Sequence, residues 1–287
     1  MANLKEIRNR ISSVSSTMQI TNAMKMVSAA KLKKAQDSIV SMRPYSEKIS
    51  DLIDKLVCFS DETLSHPFFS NKNNGKILII TITSNRGLCG AFNSNIVKST
   101  IKKAAEFSDK KIDIISVGKV GKEGLSKKFE ISKDQSSLFD NLTFENTSKI
   151  ANDIINDFLN NVYEKVFITY NQFKNAATQI VKFETLLPIY STKNLDKGKI
   201  NNNYIIEPSY NSILQTLLPS SIRIKLFKAI KESFASEHGA RMTAMHKATD
   251  NAKDLRDQLK LTYNKARQAS ITNEILEIVS GAEALKN

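Results

Sequence analysis

The sequence predicts an α/β protein in which a long antiparallel two-helix coiled coil, formed by the N- and C-terminal segments, accompanies a central Rossmann-like α/β domain. Apolar residues recur at helical spacing at both ends of the 287-residue chain, and neither proline nor glycine occurs before residue 44. Short β-branched runs alternate with helical stretches between those ends. We therefore expect an N-terminal coiled-coil helix over 1–57, an α/β domain with loops over 58–208, and a C-terminal coiled-coil helix over 209–287 that packs with 1–57.

The N-terminal segment carries an apolar stripe whose members step by three and four residues, the spacing of a coiled coil. These members are Leu4, Ile7, Ile11, Val14 and Met18. Pro44 removes one backbone donor and so either kinks this helix or restarts it. The stripe then continues to about residue 57 through Ile49, Leu52, Ile53 and Leu56.

The middle of the chain contains three short apolar runs typical of strands buried on both faces of a mostly parallel sheet, KILIITIT (76–83), KIDIISV (111–117) and KVFITYN (165–171). Helical stretches lie between them, notably SNIVKSTIKKAAEF and NTSKIANDIINDFLNNVY. QIVKFETLLPI (179–189) adds a strand that we expect to run antiparallel to the third run. Residues 191–203 have the composition of a loop.

The C-terminal segment has a second apolar stripe. Its predicted members are Met245, Ala248, Ala252, Leu255, Leu259, Thr262, Ala266 and Ala269. From Pro219 to the end the chain has no further proline, and a helix of that length would extend to roughly 100 Å. Neither terminal helix can bury its own stripe, so the two are expected to pack on each other.

Composition excludes several classes of protein. The content of 41% hydrophobic and 25% charged residues is ordinary for a folded domain. No apolar run reaches the roughly 18 residues that a membrane span needs. The stretch MANLKEIRNRISS has charges where a secretory signal would place its apolar core, so we expect no such signal. Cys58 and Cys89 make no disulfide framework, which favours a reducing compartment. His66, His238 and His246 are too scattered for a metal site, and we expect neither a metal nor another cofactor.

The formal net charge is +13, and the first 36 residues contribute a concentrated part of it. Only Glu6 opposes the basic side chains of this N-terminal basic segment, which are Lys5, Arg8, Arg10, Lys25, Lys31, Lys33 and Lys34. Such a run can be a solvated helix face, or it can face an acidic partner, either nucleic-acid phosphates or the carboxylates of another protein.

The first predicted strand leads into TSNRGLCGAFN, a glycine-containing turn before a helix. Gly87 and Gly90 form only GxxG, without the glycine pattern of a dinucleotide site or the lysine of a P-loop. We interpret the glycines as the requirement of a tight turn. Cys89 could act as a nucleophile at the helix start, although a small residue packed in the turn is the interpretation we prefer. No catalytic residue is predicted.

Four stretches together resemble the γ subunits of F-type ATP synthases: MANLKEIRNRISSVSSTMQITNAMKMVSAAKLKKAQ, SNRGLCGAFN, SEHGARMTAMHKATDNAKDL and NKARQASITNEILEIVSGAEAL. The resemblance implies a non-catalytic rotor shaft that couples ion flow through the membrane ring to ATP synthesis or hydrolysis at the β subunits. The implied partners are three α and three β subunits around one copy of this chain, the ε subunit and the ring of c subunits. The implied location is peripheral, on the cytoplasmic face of the bacterial inner membrane.

The resemblance also implies functional residues. Contacts that couple the shaft to the α and β subunits are expected from the ARQxxIT stretch and from the KM region, at Met24, Lys25, Arg267, Gln268, Thr272 and Glu274. An apolar bearing at the tip is expected from Ile271, Ile275, Ile278, Val279 and Leu285. The alternative is a basic coiled-coil protein that binds nucleic acid through residues 1–36, although no aromatic residues lie near these charges to stack on bases.

Overall fold

A computed structural model of the protein describes residues 4–59, 67–70, 75–189, 207 and 209–284. The chain divides into a terminal unit, Met1–Ser28 with Met242–Asn287, and a central unit, Ala29–Arg241. The helices α1, Leu4–Phe59, and α5, Tyr210–Ala284, each contribute to both units. Each helix continues through its internal proline, Pro44 in α1 and Pro219 in α5, so Pro44 does not restart the first helix.

The terminal unit is an antiparallel pair of helical segments, as predicted. Arg8 Nη2 donates to the Tyr263 hydroxyl at 3.2 Å, and the Thr249 hydroxyl donates to that of Thr21 at 2.9 Å. Residue numbers therefore rise along one helix as they fall along the other. Of the predicted α1 stripe, Ile7 is buried, and Leu4, Ile11, Val14 and Met18 are half-buried.

The predicted α5 stripe is only partly correct. Met245 is buried and Ala248, Ala252, Leu259 and Ala266 are half-buried, whereas Leu255, Thr262 and Ala269 are exposed. The half-buried positions are instead Arg256, Tyr263 and Ser270, one residue further along. Arg256 donates to Met18 Sδ at 3.8 Å and Tyr263 accepts from Arg8. Arg256 and Tyr263 can occupy these positions because the stem of each side chain packs while its polar end reaches the facing helix.

The central unit contains a five-stranded sheet of order β3-β2-β1-β4-β5. The strands are β1 Lys76–Ile82, β2 Ile112–Val117, β3 Glu130–Asp134, β4 Tyr163–Phe173 and β5 Gln179–Leu187. The first four are parallel to their neighbours and β5 is antiparallel to β4. All four predicted strands are confirmed. The edge strand β3 was not predicted, because EISKD is charged and only partly buried.

Three further helices connect the strands: α2 Phe92–Ala105, α3 Lys119–Leu125 and α4 Phe144–Leu159. A 3-10 helix, Ser136–Asp140, follows β3. The predicted helices are α2 and α4, and the Thr143 hydroxyl caps α4 by accepting from the Asn146 amide at 3.3 Å. The seven-residue α3, which contains two glycines, was missed. The predicted loop at 191–203 lies outside the described residues.

The main core of the central unit lies where α1, α4 and α5 meet one face of the sheet. It includes Ile53 from α1, Ile154 from α4, Ile80 from β1 and Ile222 from α5. None of the helices among the described residues is long and apolar enough to cross a membrane. The same part of the chain contains no cluster of three or more His, Cys, Asp or Glu that could hold a metal ion.

We expect Gly118→Ala to lower the free energy of unfolding of the central unit by about 2 kcal/mol. Gly118 has φ +122°, and an added Cβ would lie 2.4 Å from the Thr83 carbonyl oxygen and 2.6 Å from its hydroxyl. The measurement is hydrogen exchange of the β1 amides, which reports opening of this unit. Gly87→Ala is the matched control, because its Cβ would meet nothing within 4 Å. Equal exchange in both variants would contradict the strain at Gly118.

Candidate functional site

The end of α5 is a helical arm, residues 271–283, in which every residue is exposed. The pairing of Arg8 with Tyr263 places Leu4, the first described residue of α1, beside residue 267. The arm therefore has no helix of this chain against it within the described ranges. Its large apolar side chains are Ile271, Ile275, Leu276, Ile278 and Val279, each between 47% and 71% exposed. Ile271, Ile275, Ile278 and Val279 recur at helical spacing, and a contiguous group of exposed apolar side chains indicates a site that another molecule covers.

Four of the predicted bearing residues lie on this arm, namely Ile271, Ile275, Ile278 and Val279. Leu285, the fifth, lies outside the described residues. Leu276 is 57% exposed and belongs to the same surface, although it was not predicted. Its position directly after Ile275 in an arm without a facing helix was the signal that could have identified it.

The predicted coupling residues lie at two separate levels of the helix pair. Arg267, Gln268, Thr272 and Glu274 are exposed, and the Ser270 hydroxyl donates to Glu274 Oε1 at 3.3 Å. Met24 and Lys25 are half-buried on α1. The antiparallel pairing puts Lys25 beside residues near 246, which lie about 30 Å along α5 from Arg267. The two groups are therefore not brought together.

An exposed apolar group near Lys25 was missed by the sequence reasoning. Ile20, Met26 and Val27 are 57% to 61% exposed on the terminal-unit part of α1. These three residues could have been identified from the sequence, because they are apolar residues outside the apolar stripe that begins at Leu4. The N-terminal basic segment thus combines positive charge with exposed apolar side chains, a surface suited to another protein.

The glycine-containing turn is organised by contacts within the central unit. Asn93 Oδ1 accepts from the Ser84 amide at 2.9 Å and from its hydroxyl at 3.1 Å. The Arg86 carbonyl accepts from Arg241 Nη2 at 3.2 Å, and the Gly87 carbonyl accepts from Nη1 of the same guanidinium. The turn therefore directs carbonyl oxygens at an arginine of α5, which gives no support to a phosphate site.

Cys89 lies packed inside this turn, where Asn93 Nδ2 donates to its sulfur at 3.2 Å. The residue is buried, and that burial raises the pKa of the thiol above its ordinary value. A raised pKa keeps the sulfur protonated near neutral pH, which disfavours a nucleophilic role. The structure thus supports the interpretation of Cys89 as a packed turn residue.

The two described histidines have different surroundings. His238 is buried in the central unit against the Phe234 ring, and burial together with the nearby charges of Lys31 and Arg241 lowers its pKa to about 4. His246 is exposed and its Nδ1 lies 2.9 Å from Asp250 Oδ2. Neither ring nitrogen of His238 has a hydrogen-bond partner among the described residues, and His246 contacts a carboxylate, so neither histidine is paired with a candidate nucleophile.

Known proteins are similar to this chain over its full length. A family model described as ATP synthase matches residues 3–285. The ATP synthase gamma chain of Flavobacterium psychrophilum is 58% identical over 286 residues and covers 100% of both chains. That of Flavobacterium johnsoniae is 56% identical over 285 residues and covers 99% of each. The gamma chain of Geotalea daltonii is 43% identical over 290 residues, again with 100% of both chains covered.

Solved structures show the same fold. A chain of the central stalk and c-ring of the Tetrahymena thermophila mitochondrial ATP synthase is 27% identical with a TM-score of 0.58, covering 80% of this chain and 99% of its own. A chain of the Euglena gracilis mitochondrial ATP synthase is 22% identical with a TM-score of 0.68, covering 98% of this chain and 94% of its own. From the family match and the full-length relatives, the chain belongs to the family of ATP synthase gamma chains.

Proposed function

We propose that this chain is the central rotor shaft of an F-type ATP synthase. It couples ion flow through the membrane ring to ATP synthesis or hydrolysis at the β subunits, and it is itself a non-catalytic subunit. The observation that carries the proposal is the antiparallel terminal pair of helices whose C-terminal arm continues, exposed and apolar, past the start of α1. A shaft enclosed by other subunits requires such an unpaired surface.

The partners that this function requires are three α and three β subunits around one copy of this chain, together with the ε subunit and the c-ring. The chain is a peripheral part of a membrane-bound complex. We propose the cytoplasmic face of the bacterial inner membrane as its location, because the relatives that match it at full length are bacterial gamma chains. No observation favours nucleic acid as a partner of the N-terminal basic segment.

The arm is proposed as the bearing. Its apolar side chains would turn within a sleeve formed by the α and β subunits, and an apolar surface can slide without breaking ion pairs. The proposed bearing residues are Ile271, Ile275, Ile278, Val279 and Leu285. Exposure of the first four supports this role.

The coupling contacts are proposed at both levels of the helix pair. The upper level consists of Arg267, Gln268, Thr272 and Glu274, and the lower level consists of Met24 and Lys25. Lys25 belongs to the basic segment, whose charge is complementary to acidic loops of the β subunits. Shaft orientation would make the three β sites inequivalent, so rotation changes their nucleotide affinities and, by linkage, nucleotide binding drives rotation.

The three segments predicted from the sequence are proposed as functional parts. Residues 1–57 and 209–287 would supply the shaft, and residues 58–208 would supply the domain beside the ε subunit and the c-ring. The bounds of α1 at Phe59 and of α5 at Tyr210 support this division.

Native mass spectrometry of this chain mixed with α and β subunits from the same organism tests the rotor proposal. We expect a complex of three α subunits, three β subunits and one copy of this chain. A chain that stays alone, or that pairs only with itself, would contradict the proposal. Salt-sensitive binding to nucleic acid would then be measured, because phosphate contacts weaken steeply with ionic strength.

A further inference from the structure

Helix α1 contains a point of weakness within the central unit. Pro44 has no backbone N–H, so the helix lacks the hydrogen bond that would reach the carbonyl of residue 40. Proline positions are where helices bend most readily. The side chain directly before this proline, Arg43, is held by two other elements of the central unit.

The Arg43 guanidinium joins three elements. Its Nε donates to Glu232 Oε1 of α5 at 3.1 Å, and its Nη2 donates to the carbonyl of Phe173 at 3.0 Å. Phe173 is the last residue of β4. The two donors of one planar group therefore fix α1 to α5 and to the end of a central strand. Two contacts made by one rigid guanidinium define an orientation as well as a distance.

Stability alone does not account for an ion pair at this place. The Glu232 side chain is 0% exposed while that of Arg43 is 38% exposed. Glu232 Oε2 is buried without a hydrogen-bond partner among the described residues. Replacing a buried ion pair with apolar side chains is often neutral or stabilising, because desolvation offsets the attraction. A fixed geometry between the helices is what the charged pair adds.

The relative orientation of α1 and α5 matters because these two helices connect the central unit to the terminal unit. The chain passes from one unit to the other twice, between Ser28 and Ala29 within α1 and between Arg241 and Met242 within α5. A twist applied to the central unit can reach the terminal unit along the chain only through these two helices. Arg43 and Glu232 lie on the central-unit parts of the same two helices.

We propose that Arg43 and Glu232 form a torsional brace, a pair of positioning residues that holds α1 and α5 in fixed relation at the proline, so that the two helices transmit twist along the chain from the central unit to the terminal unit. The proposal rests on the rotor function proposed above. Loss of the brace leaves a rotor that assembles and permits ATP hydrolysis but couples hydrolysis to ion transport less completely.

The test uses the complete ATP synthase reconstituted in liposomes with four chains: the unchanged chain, Arg43→Met, Glu232→Gln and the double variant. Three quantities are measured: the rate of ATP hydrolysis, the rate of ATP-driven ion uptake, and the angular fluctuation of a rod attached to the rotor. The temperature at which each complex inactivates is also recorded. Angular fluctuation reports torsional stiffness, which a residue with only a stabilising role would not change at constant thermal stability.

We expect Arg43→Met to lower the inactivation temperature, because it leaves the Glu232 carboxylate buried and unpaired. The double variant removes that charge and should regain the thermal stability of the unchanged chain. It should nevertheless show larger angular fluctuations and a lower ratio of ion uptake to hydrolysis. Arg43→Lys keeps the positive charge but not the two-donor fork. Compared with Arg43→Met, it should therefore retain more of the thermal stability than of the torsional stiffness.

Arg223→Met is the matched control. Arg223 Nε also donates from α5, at 2.8 Å to Asn152 Oδ1, but this contact joins α5 to α4 and is exposed. It should leave both stiffness and coupling unchanged. A thermally stable double variant with the stiffness and coupling ratio of the unchanged chain would overturn the brace. Failure of the unchanged chain itself to assemble would instead count against the rotor function.

Discussion

A chain that ends at Asn264 is expected to lose coupled ATP synthesis while its central unit remains folded. This truncation removes the proposed upper contacts, Arg267, Gln268, Thr272 and Glu274, and the whole exposed arm. It keeps the pairing of Arg8 with Tyr263 and of Thr21 with Thr249. Coupling free energies of about 1–3 kcal/mol correspond to changes of roughly 5- to 150-fold in binding affinity. Without these contacts the nucleotide affinities of the β sites should no longer follow shaft orientation to that extent, and gradient-driven synthesis should fall. The measurement is ATP synthesis driven by an imposed ion gradient in liposomes.

A chain that ends at Ser280 is the graded control. It retains the four polar contact residues and the four described bearing residues, so its synthesis should remain close to that of the full-length chain. Native mass spectrometry of both complexes would establish that each chain assembles with the α and β subunits. Coupled synthesis that persists unchanged in an assembled complex truncated at Asn264 would remove the basis for the contacts proposed in this region.

Substitutions in the full-length chain distinguish the contribution of the polar contact residues to coupled synthesis from that of the apolar bearing residues. One variant replaces the four polar residues with alanine, and another replaces Ile271, Ile275, Ile278 and Val279 with serine. Lys260→Ala is a matched control, because Lys260 is an exposed α5 residue outside both groups. A loss confined to the first variant would assign coupling to the polar residues, and a loss confined to the second would assign it to the arm.

The coiled coil and the strands could be predicted because the local spacing of apolar residues indicates each of them. Ile7 and Met245 are buried where their stripes place them, and the run around Ile80 forms a strand buried on both faces. The exact facing positions on α5 could not be predicted. Leu255 and Arg256 both lie at coiled-coil spacing, and it is the facing helix, through Met18, that selects the arginine.

Contacts between residues far apart in sequence were also beyond prediction. Arg43 and Glu232 are separated by 189 positions, and no local pattern indicates that they meet. The arginine that organises the glycine-containing turn is likewise distant, since Arg241 and Gly87 are 154 positions apart. The sequence showed that the turn lacks a phosphate motif, but the physical reason for its shape became clear only from the side chain that holds its carbonyls.

Arg241→Met is expected to lower the free energy of unfolding of the central unit by about 3–5 kcal/mol, the usual cost of removing one partner of a buried ion pair. Arg241 Nη2 lies 2.5 Å from Glu237 Oε1, and the two side chains are 9% and 11% exposed. The same guanidinium donates to the carbonyls of Arg86 and Gly87. The variant therefore leaves a buried carboxylate and two carbonyls without their donor. Hydrogen exchange of the β1 amides measures the change.

The free energy of unfolding lost in Arg241→Met should depend on pH. The Glu237 carboxyl determines the direction of that dependence. Burial raises its pKa above the ordinary value of 4.5, while Arg241 acts to lower it. A carboxyl whose pKa is raised on folding stabilises the fold least when pH lies above that pKa, because the folded state then holds a buried charge. Removing Arg241 raises the folded pKa further. The destabilisation should therefore be larger at about pH 8 than at about pH 5.

The double variant Arg241→Met with Glu237→Gln separates the charge from the contacts with the turn. Without a carboxylate, the pH-dependent part of the loss should disappear, because the variant has no group at position 237 that takes up a proton on folding. The part due to the Arg86 and Gly87 carbonyls should remain at every pH. A loss for Arg241→Met that does not vary with pH would show that Arg241 stabilises the central unit through the turn alone and that Glu237 stays neutral beside it.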